Sequence, residues 1–239
     1  MTGTIKKLNK IITNKYMALI EQRERVNFIS ILGSDATLRK VVPEGTTGAV
    51  TRTYELKDGT TGSKVEKIYE SVSGKITDIK FADTEFGTLL QVTLTDPDEF
   101  LKAEPEVLSM NTSTDFAKDF MKKLPNIDLE KEVTVRPFNF IPEGKTASLK
   151  GLTVIQDGKK VDKAFYDVEK KTSTMGYPEA DAKLKDEKNE MKRKEGWKRF
   201  FKDCEIFLVD YTTENSVSKF DKGMVEETLD EEVKTPDDF

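Results

Sequence analysis

A chain of 239 residues, 36% hydrophobic and 35% charged, can bury one sizeable core with extensions, and no run approaches the roughly 20 apolar residues that cross a bilayer. One cysteine, Cys204, and no histidine exclude an internal disulfide, Ser-His and Cys-His nucleophiles, and the usual zinc ligand sets. The net charge of −5 is unevenly spread: Thr213–Phe239 holds nine acidic and three basic side chains, summing to −6, which leaves the preceding 212 residues at +1. Such asymmetry is the mark of an interaction tail.

Residues 1–45 read as a basic, partly helical N-terminal extension. Ile5, Leu8, Ile11 and Ile12 fall at helical spacing, as do Tyr16, Leu19 and Ile20, among Lys6, Lys7, Lys10, Lys15, Arg23, Arg25, Arg39 and Lys40. Two readings stand: an arm that meets a phosphate backbone or a second copy of the chain, or an ordinary helix with solvated lysines. The segment lacks a continuous apolar stretch and a small-residue cleavage site, so no signal peptide is expected. Together with the lone cysteine, this points to a reducing cytoplasm.

Residues 46–212 are expected to form one domain. A strand at 49–56 and another at 64–72 flank the Asp58-Gly59 turn. Gly74–Thr95 then has the grammar of a long hairpin: Ile76, Ile79, Phe81, Leu90, Val92 and Leu94 are β-formers around an Ala82–Gly87 turn. Ile76 and Ile79 differ in parity, which predicts a bulge in the first arm. Ser113 is set to cap a helix carrying Phe116, Ala117, Phe120, Met121 and Leu124, ended by Pro125. Strands at 132–140 and 145–155 follow. After the Gly176-Tyr177-Pro178 break, a long charged helix at 179–203 leads to a final strand at 205–211, and 213–239 reads as a disordered acidic tail. The expected fold is mainly β with helical additions: a small barrel of five or six strands, one inserted helix and a long C-terminal helix.

Chemistry is concentrated on the strand at 132–140. With Val133 and Val135 inward, period-two alternation puts Arg136, Phe138 and Phe140 on the outer face; the alternative is that Pro137 breaks the register and turns Phe138 or Phe140 inward. Rings that stack bases and cations that follow phosphates are what a single-stranded nucleic acid requires. Lys75, Lys80 and Phe86 on the hairpin, Arg52 and Tyr54 before it, and Lys150 after it are secondary candidates. In KRKEGWKRFFK (192–202), Trp197, Phe200, Phe201 and Cys204 share one helix face. That pattern is read as packing, with a nucleic-acid clamp as the alternative. Gly144-Lys145-Thr146 lacks the preceding glycine of a phosphate-binding loop and lies between strands, so it is a turn. The acidic group Asp96, Asp98 and Glu99 reads as a loop, and neither a metal nor a cofactor is expected.

The chain closes on Thr235-Pro236-Asp237-Asp238-Phe239. This tip, with the hairpin, helix and two strands in that order, resembles the single-stranded-DNA-binding proteins of bacteria and their phages, which have an OB-fold core and an acidic tail ending in phenylalanine. The resemblance covers roughly 64–155 and the tip; Pro236 precedes the aspartates here, where the bacterial pattern has it beside the last residue. The added arm and long helix favour a phage-encoded relative. The resemblance implies a non-enzymatic protein that coats single-stranded DNA in replication, recombination and repair. Asp237, Asp238 and Phe239 would recruit replication proteins such as a polymerase, primase or helicase, with homo-oligomers possible and no membrane contact. The alternative is a virion or assembly protein whose barrel makes protein contacts.

Overall fold

The structure is a computed structural model that describes residues 27–55, 58–96, 104–217 and 220. Alternating β-formers build ten strands of one mixed sheet: β1 (Asn27–Leu32), β2 (Thr37–Val41), β3 (Val50–Glu55), β4 (Thr61–Tyr69), β5 (Val72–Thr84), β6 (Gly87–Thr95), β7 (Glu106–Asn111), β8 (Glu132–Phe140), β9 (Leu149–Gln156) and β10 (Lys159–Lys160). Their order across the sheet is β10-β9-β8-β5-β6-β7-β1-β2-β4-β3. A separate two-stranded ladder joins β11 (Tyr166–Asp167) to β12 (Thr172–Ser173). Helix α1 (Asp115–Lys123) lies between β7 and β8, and α2 (Ala182–Asp186) and α3 (Glu190–Thr212) follow the sheet.

The hairpin of β5 and β6 is the longest ladder, with its register shift between Ile76 and Asp78. The extra residue is what turns both Ile76 and Ile79 into the core. β5 also hands over between partners: Val72–Lys75 pair with β8 and Lys75–Thr84 with β6. Gly74 stands at that crossing, where an added Cβ would come within 2.7 Å of the Thr95 carbonyl oxygen. Helix α1 opens at Thr114, one residue after the expected cap, whose side chain accepts from the Ala117 N–H. Its Phe116, Ala117, Phe120 and Met121 share a single core with Val92, Leu108, Val133, Leu152 and Val154 of the sheet. Each such buried side chain contributes roughly 1.5–3 kcal/mol.

Five expectations are corrected. The sheet is an open one of ten strands and no barrel of five or six: β7 takes β1 as a parallel neighbour, so the sheet extends through β2, β4 and β3 instead of returning to β9. Thus 27–41, counted as extension, belongs to the sheet, while 1–26 lie outside the described residues. Residues 205–211 are helical: nothing between Asp203 and Glu205 breaks α3, and Cys204, Leu208 and Thr212 are buried at spacings of four. The predicted helix at 179–203 is in fact α2 and α3, interrupted where the Asn189 side chain caps α3 by accepting from Lys192 N–H. The chain then stays ordered through a π-helical turn, Thr213–Val217, and Val217 and Phe220 pack on the core. Residues 218–219 and 221–239, with Asp237, Asp238 and Phe239, lie outside the described residues.

Candidate nucleic-acid interface

Strand β8 alternates as its sequence requires. Val133, Val135 and Pro137 are buried, whereas Arg136 and Phe140 are exposed and Phe138 is half-buried. The Arg136 side chain is 60% exposed and Phe140 is 51% exposed. The two rings are neighbours, with centroids 5.8 Å apart and planes tilted by 45°. Gly151, across the ladder from Phe138, keeps the ring close to the strand: a Cβ there would meet Phe138 Cζ at 2.8 Å and Asp119 Oδ2 at 2.6 Å.

These residues floor a groove of about 570 Å³ whose far wall is the β1–β2 turn (Asp35, Ala36, Thr37), with Glu70, Ile155 and Lys160 at its borders. The wall is held by one amide: Asn139 Nδ2 donates to the carbonyl oxygens of Gly33 (3.1 Å) and Ser34 (3.0 Å). No backbone ladder joins β2 to β8, so side-chain hydrogen bonds do the work that a closed barrel would give to its strands. The groove is nearly balanced in charge. Asp35 is paired with Arg39 at 2.9 Å, and Arg136 faces Glu70 at 3.4 Å. The Arg136 pair is exposed on both sides and is worth little, so a phosphate can replace Glu70.

The secondary candidates do not converge on this groove. Phe86 caps the β5–β6 hairpin and is 75% exposed. Lys75 is committed to Glu130 at 2.8 Å, and Lys80 lies 3.5 Å from Asp78. Tyr54 lies over Gly62, with Lys64 Nζ 5.4 Å from its ring. Lys150 lines a different hollow, between α1 and α3.

Arg52 is engaged within the fold. Its Nε and Nη2 donate to the two oxygens of buried Glu66 at 2.9 and 2.8 Å, and Arg39 adds a third bond at 3.3 Å. The Arg52 guanidinium, ahead of Arg39, holds the Glu66 carboxyl below its ordinary value. This arrangement therefore stabilises the fold above the ordinary glutamate range and loses that contribution as pH falls through the lowered pKa. Arg52→Ala is expected to lower stability by about 1.5–3 kcal/mol, the worth of hydrogen bonds to a charged group. Oligonucleotide affinity should stay unchanged, as a thermal melt and a binding titration on the same sample will show.

What the strand-by-strand reading missed is the α1–α3 hollow. Lys118 and Lys122 of α1, Lys150 of β9 and Lys163 border it, together with Tyr177, Phe200 and Phe201. Its base is a buried carboxylate, Asp119, which accepts from the Leu152 N–H at 2.8 Å and pairs with Lys123 and Lys163, each at 2.8 Å. Burial pushes the Asp119 carboxyl up, but Lys123, Lys163 and the Leu152 amide outweigh it and hold the group below its ordinary value. The i, i+4 spacing of Lys118 and Lys122 is visible in the sequence; that Lys150 and Lys163 join them is a property of the fold.

Among the described residues, no group of three or more metal-binding side chains is assembled, and no helix is long and apolar enough to cross a membrane. A scan against protein-family models found no match, and neither did searches of the curated proteins and of the solved structures.

Proposed function

We propose that this chain is a single-stranded-DNA-binding protein whose open sheet holds the strand in the β8 groove and which coats single-stranded DNA in phage DNA replication. The observation that carries the reading is the row Arg136, Phe138 and Phe140: an exposed cation, a half-buried ring and an exposed ring next to it along one strand, beside a groove. Bases stack on the rings and the guanidinium meets a phosphate, an arrangement that tolerates any sequence because every base has a π-face. The acidic segment after Phe220 is the handle for replication partners and a competitor for basic surfaces.

The test is a mobility shift with single-stranded DNA, duplex DNA and RNA of equal length, in a salt series. Single strands are expected to bind, with log K falling by about 0.7 per phosphate neutralised for each tenfold rise in salt. Absence of retention on single-stranded DNA would sink the reading and favour a sheet that contacts protein. Residues 221–239 hold eight acidic and two basic side chains, so their deletion removes −6 of competing charge. That truncation, which keeps the packed Val217 and Phe220, is expected to tighten oligo-dT binding at low salt and to lose the advantage at high salt.

A further inference from the structure

The hollow between α1 and α3 has a volume of about 540 Å³ and an excess of positive charge. Four lysines face two carboxylates there: Asp119 is consumed by Lys123 and Lys163, and Asp115 stands exposed at the start of α1. Lys118 has a distant share of Glu205 at 3.7 Å, and Glu205 is held more closely by Lys202 at 3.0 Å. Lys122 and Lys150 have no carboxylate within ion-pairing distance among the described residues. Lys122 Nζ instead stands 4.9 Å from the Tyr177 ring centre, and burial, reinforced by Lys163, pushes its pKa down. A cation held in such a place gains from any anion that enters.

The rings of this hollow are also unspent. Cys204 and Leu208 pack inward, but Phe201 is 56% exposed and lies stacked on Trp197, with centroids 5.6 Å apart and planes at 28°. Phe200 touches both, again at 5.6 Å. Core packing therefore accounts for the C-terminal half of α3 and not for this aromatic surface.

Shared lining residues relate the hollow to the β8 groove by way of a third recess. Lys163 also borders a third recess of about 560 Å³ along β10, where Tyr166 adds an exposed ring. Lys160 and Thr153 border that recess and the groove alike. Arg136, Lys160, Lys163 and Lys122 thus line successive recesses that also hold the rings of Phe138, Phe140, Tyr166 and Tyr177.

Resting on the groove reading above, we propose that a single strand long enough to leave the β8 groove crosses the β10 edge and enters the α1–α3 hollow, a second nucleic-acid contact that short strands never reach. Its phosphates meet Lys163, Lys122 and Lys150, and its bases stack on the Phe201–Trp197 pair. The acidic segment 221–239 is the rival occupant.

Trp197 is the only tryptophan of the chain and stacks on Phe201, which lines the hollow, so its fluorescence reports on that ring pair. The full-length protein is titrated with labelled oligo-dT of about 6 and about 20 nucleotides, the first within and the second beyond the roughly 4–16 nucleotides of a single such site. Anisotropy reads binding and Trp197 emission reads the hollow. Both lengths are expected to bind, and only the longer to quench Trp197. The pair Phe201→Ala with Lys150→Glu is expected to weaken the long oligomer about tenfold or more while leaving the short one unchanged, the scale set by one lost stack and one lost phosphate contact. A melt checks that the pair folds; the exposed Phe201→Ala alone repeats the test if it does not. Long oligomers that bind with Trp197 unaffected and with no loss in the variant overturn the proposal while sparing the groove. A Trp197 response to a synthetic 221–239 peptide, with none to DNA, assigns the hollow to the acidic segment and overturns it too. Failure of both oligomers to bind removes the groove reading and this one with it.

Discussion

Replacing Asp119 with alanine is expected to cost about 3–5 kcal/mol of folding stability, the range for breaking one side of a buried ion pair. Asp119 is 5% exposed and fastens α1 to β9: its Oδ2 accepts from the Leu152 N–H and from Lys123 Nζ, while Oδ1 faces Lys163. Lys123 closes the knot by donating to the Leu152 carbonyl oxygen. Without the carboxylate, the buried Lys123 ammonium keeps one carbonyl and no counter-charge. Because domains of this kind hold only about 5–15 kcal/mol in all, the variant sits near the threshold of folding. Asp119→Asn, which retains an acceptor for Leu152, is expected to lose less. The pH dependence has a fixed sign. Since the folded-state pKa lies below the ordinary value, Asp119 stabilises the fold at neutral pH and ceases to do so as pH falls through that lowered pKa. Urea titrations at neutral and acidic pH should show a steep acid loss in the parent and a shallower one in the variant. A deficit under about 1 kcal/mol at neutral pH would contradict the role.

Removing both groove rings, Phe138→Ala with Phe140→Ala, is expected to weaken binding of a short oligo-dT by about two to four orders of magnitude at constant salt, from about 1–3 kcal/mol per stacked base. The salt slope should barely move, because no phosphate contact is lost. Arg136→Gln is the converse: a smaller loss of affinity with a slope reduced by about 0.7, one phosphate fewer. Phe140 is half exposed, so its truncation carries little structural cost; Phe138, partly buried against Gly151, carries more. Stability of both singles should therefore be read beside affinity. If the double variant binds as the parent does, the rings are surface decoration and the β8 groove is not the site.

These two sites differ in how far they can be read from the sequence. Strand β8 and the β5–β6 hairpin are legible because period-two alternation, a Gly-bearing turn and a parity slip are local signals, and the bulge at Ile76–Asp78 follows from them. The parallel pairing of β1 with β7 has no local signal, which is why the sheet is larger than the expected barrel. Ile206–Val209 is a four-residue apolar run that fits a strand or a buried helix turn equally; the absence of a breaker after Asp203 decides it. Arg52 looks free along its own strand. Its partner Glu66 lies on the diagonal, opposite Val50 and not opposite Arg52, and the same residue sits diagonal to Arg39 on β2. The Phe200–Phe201 surface is half legible: spacing puts the rings on the Cys204 face, but only Cys204 is covered by the fold.

The Asn139 stitch has a kinetic consequence. Its two carbonyl partners are 106 and 105 positions away along the chain, whereas the hairpin closes over a handful of residues. Contacts of such long loop closure come last during folding. An intermediate with β5, β6 and β8 already zipped would display Phe138 and Phe140 on an unwalled slope. Competence to hold a strand should accordingly emerge in the slowest refolding phase, after most of the secondary structure has returned.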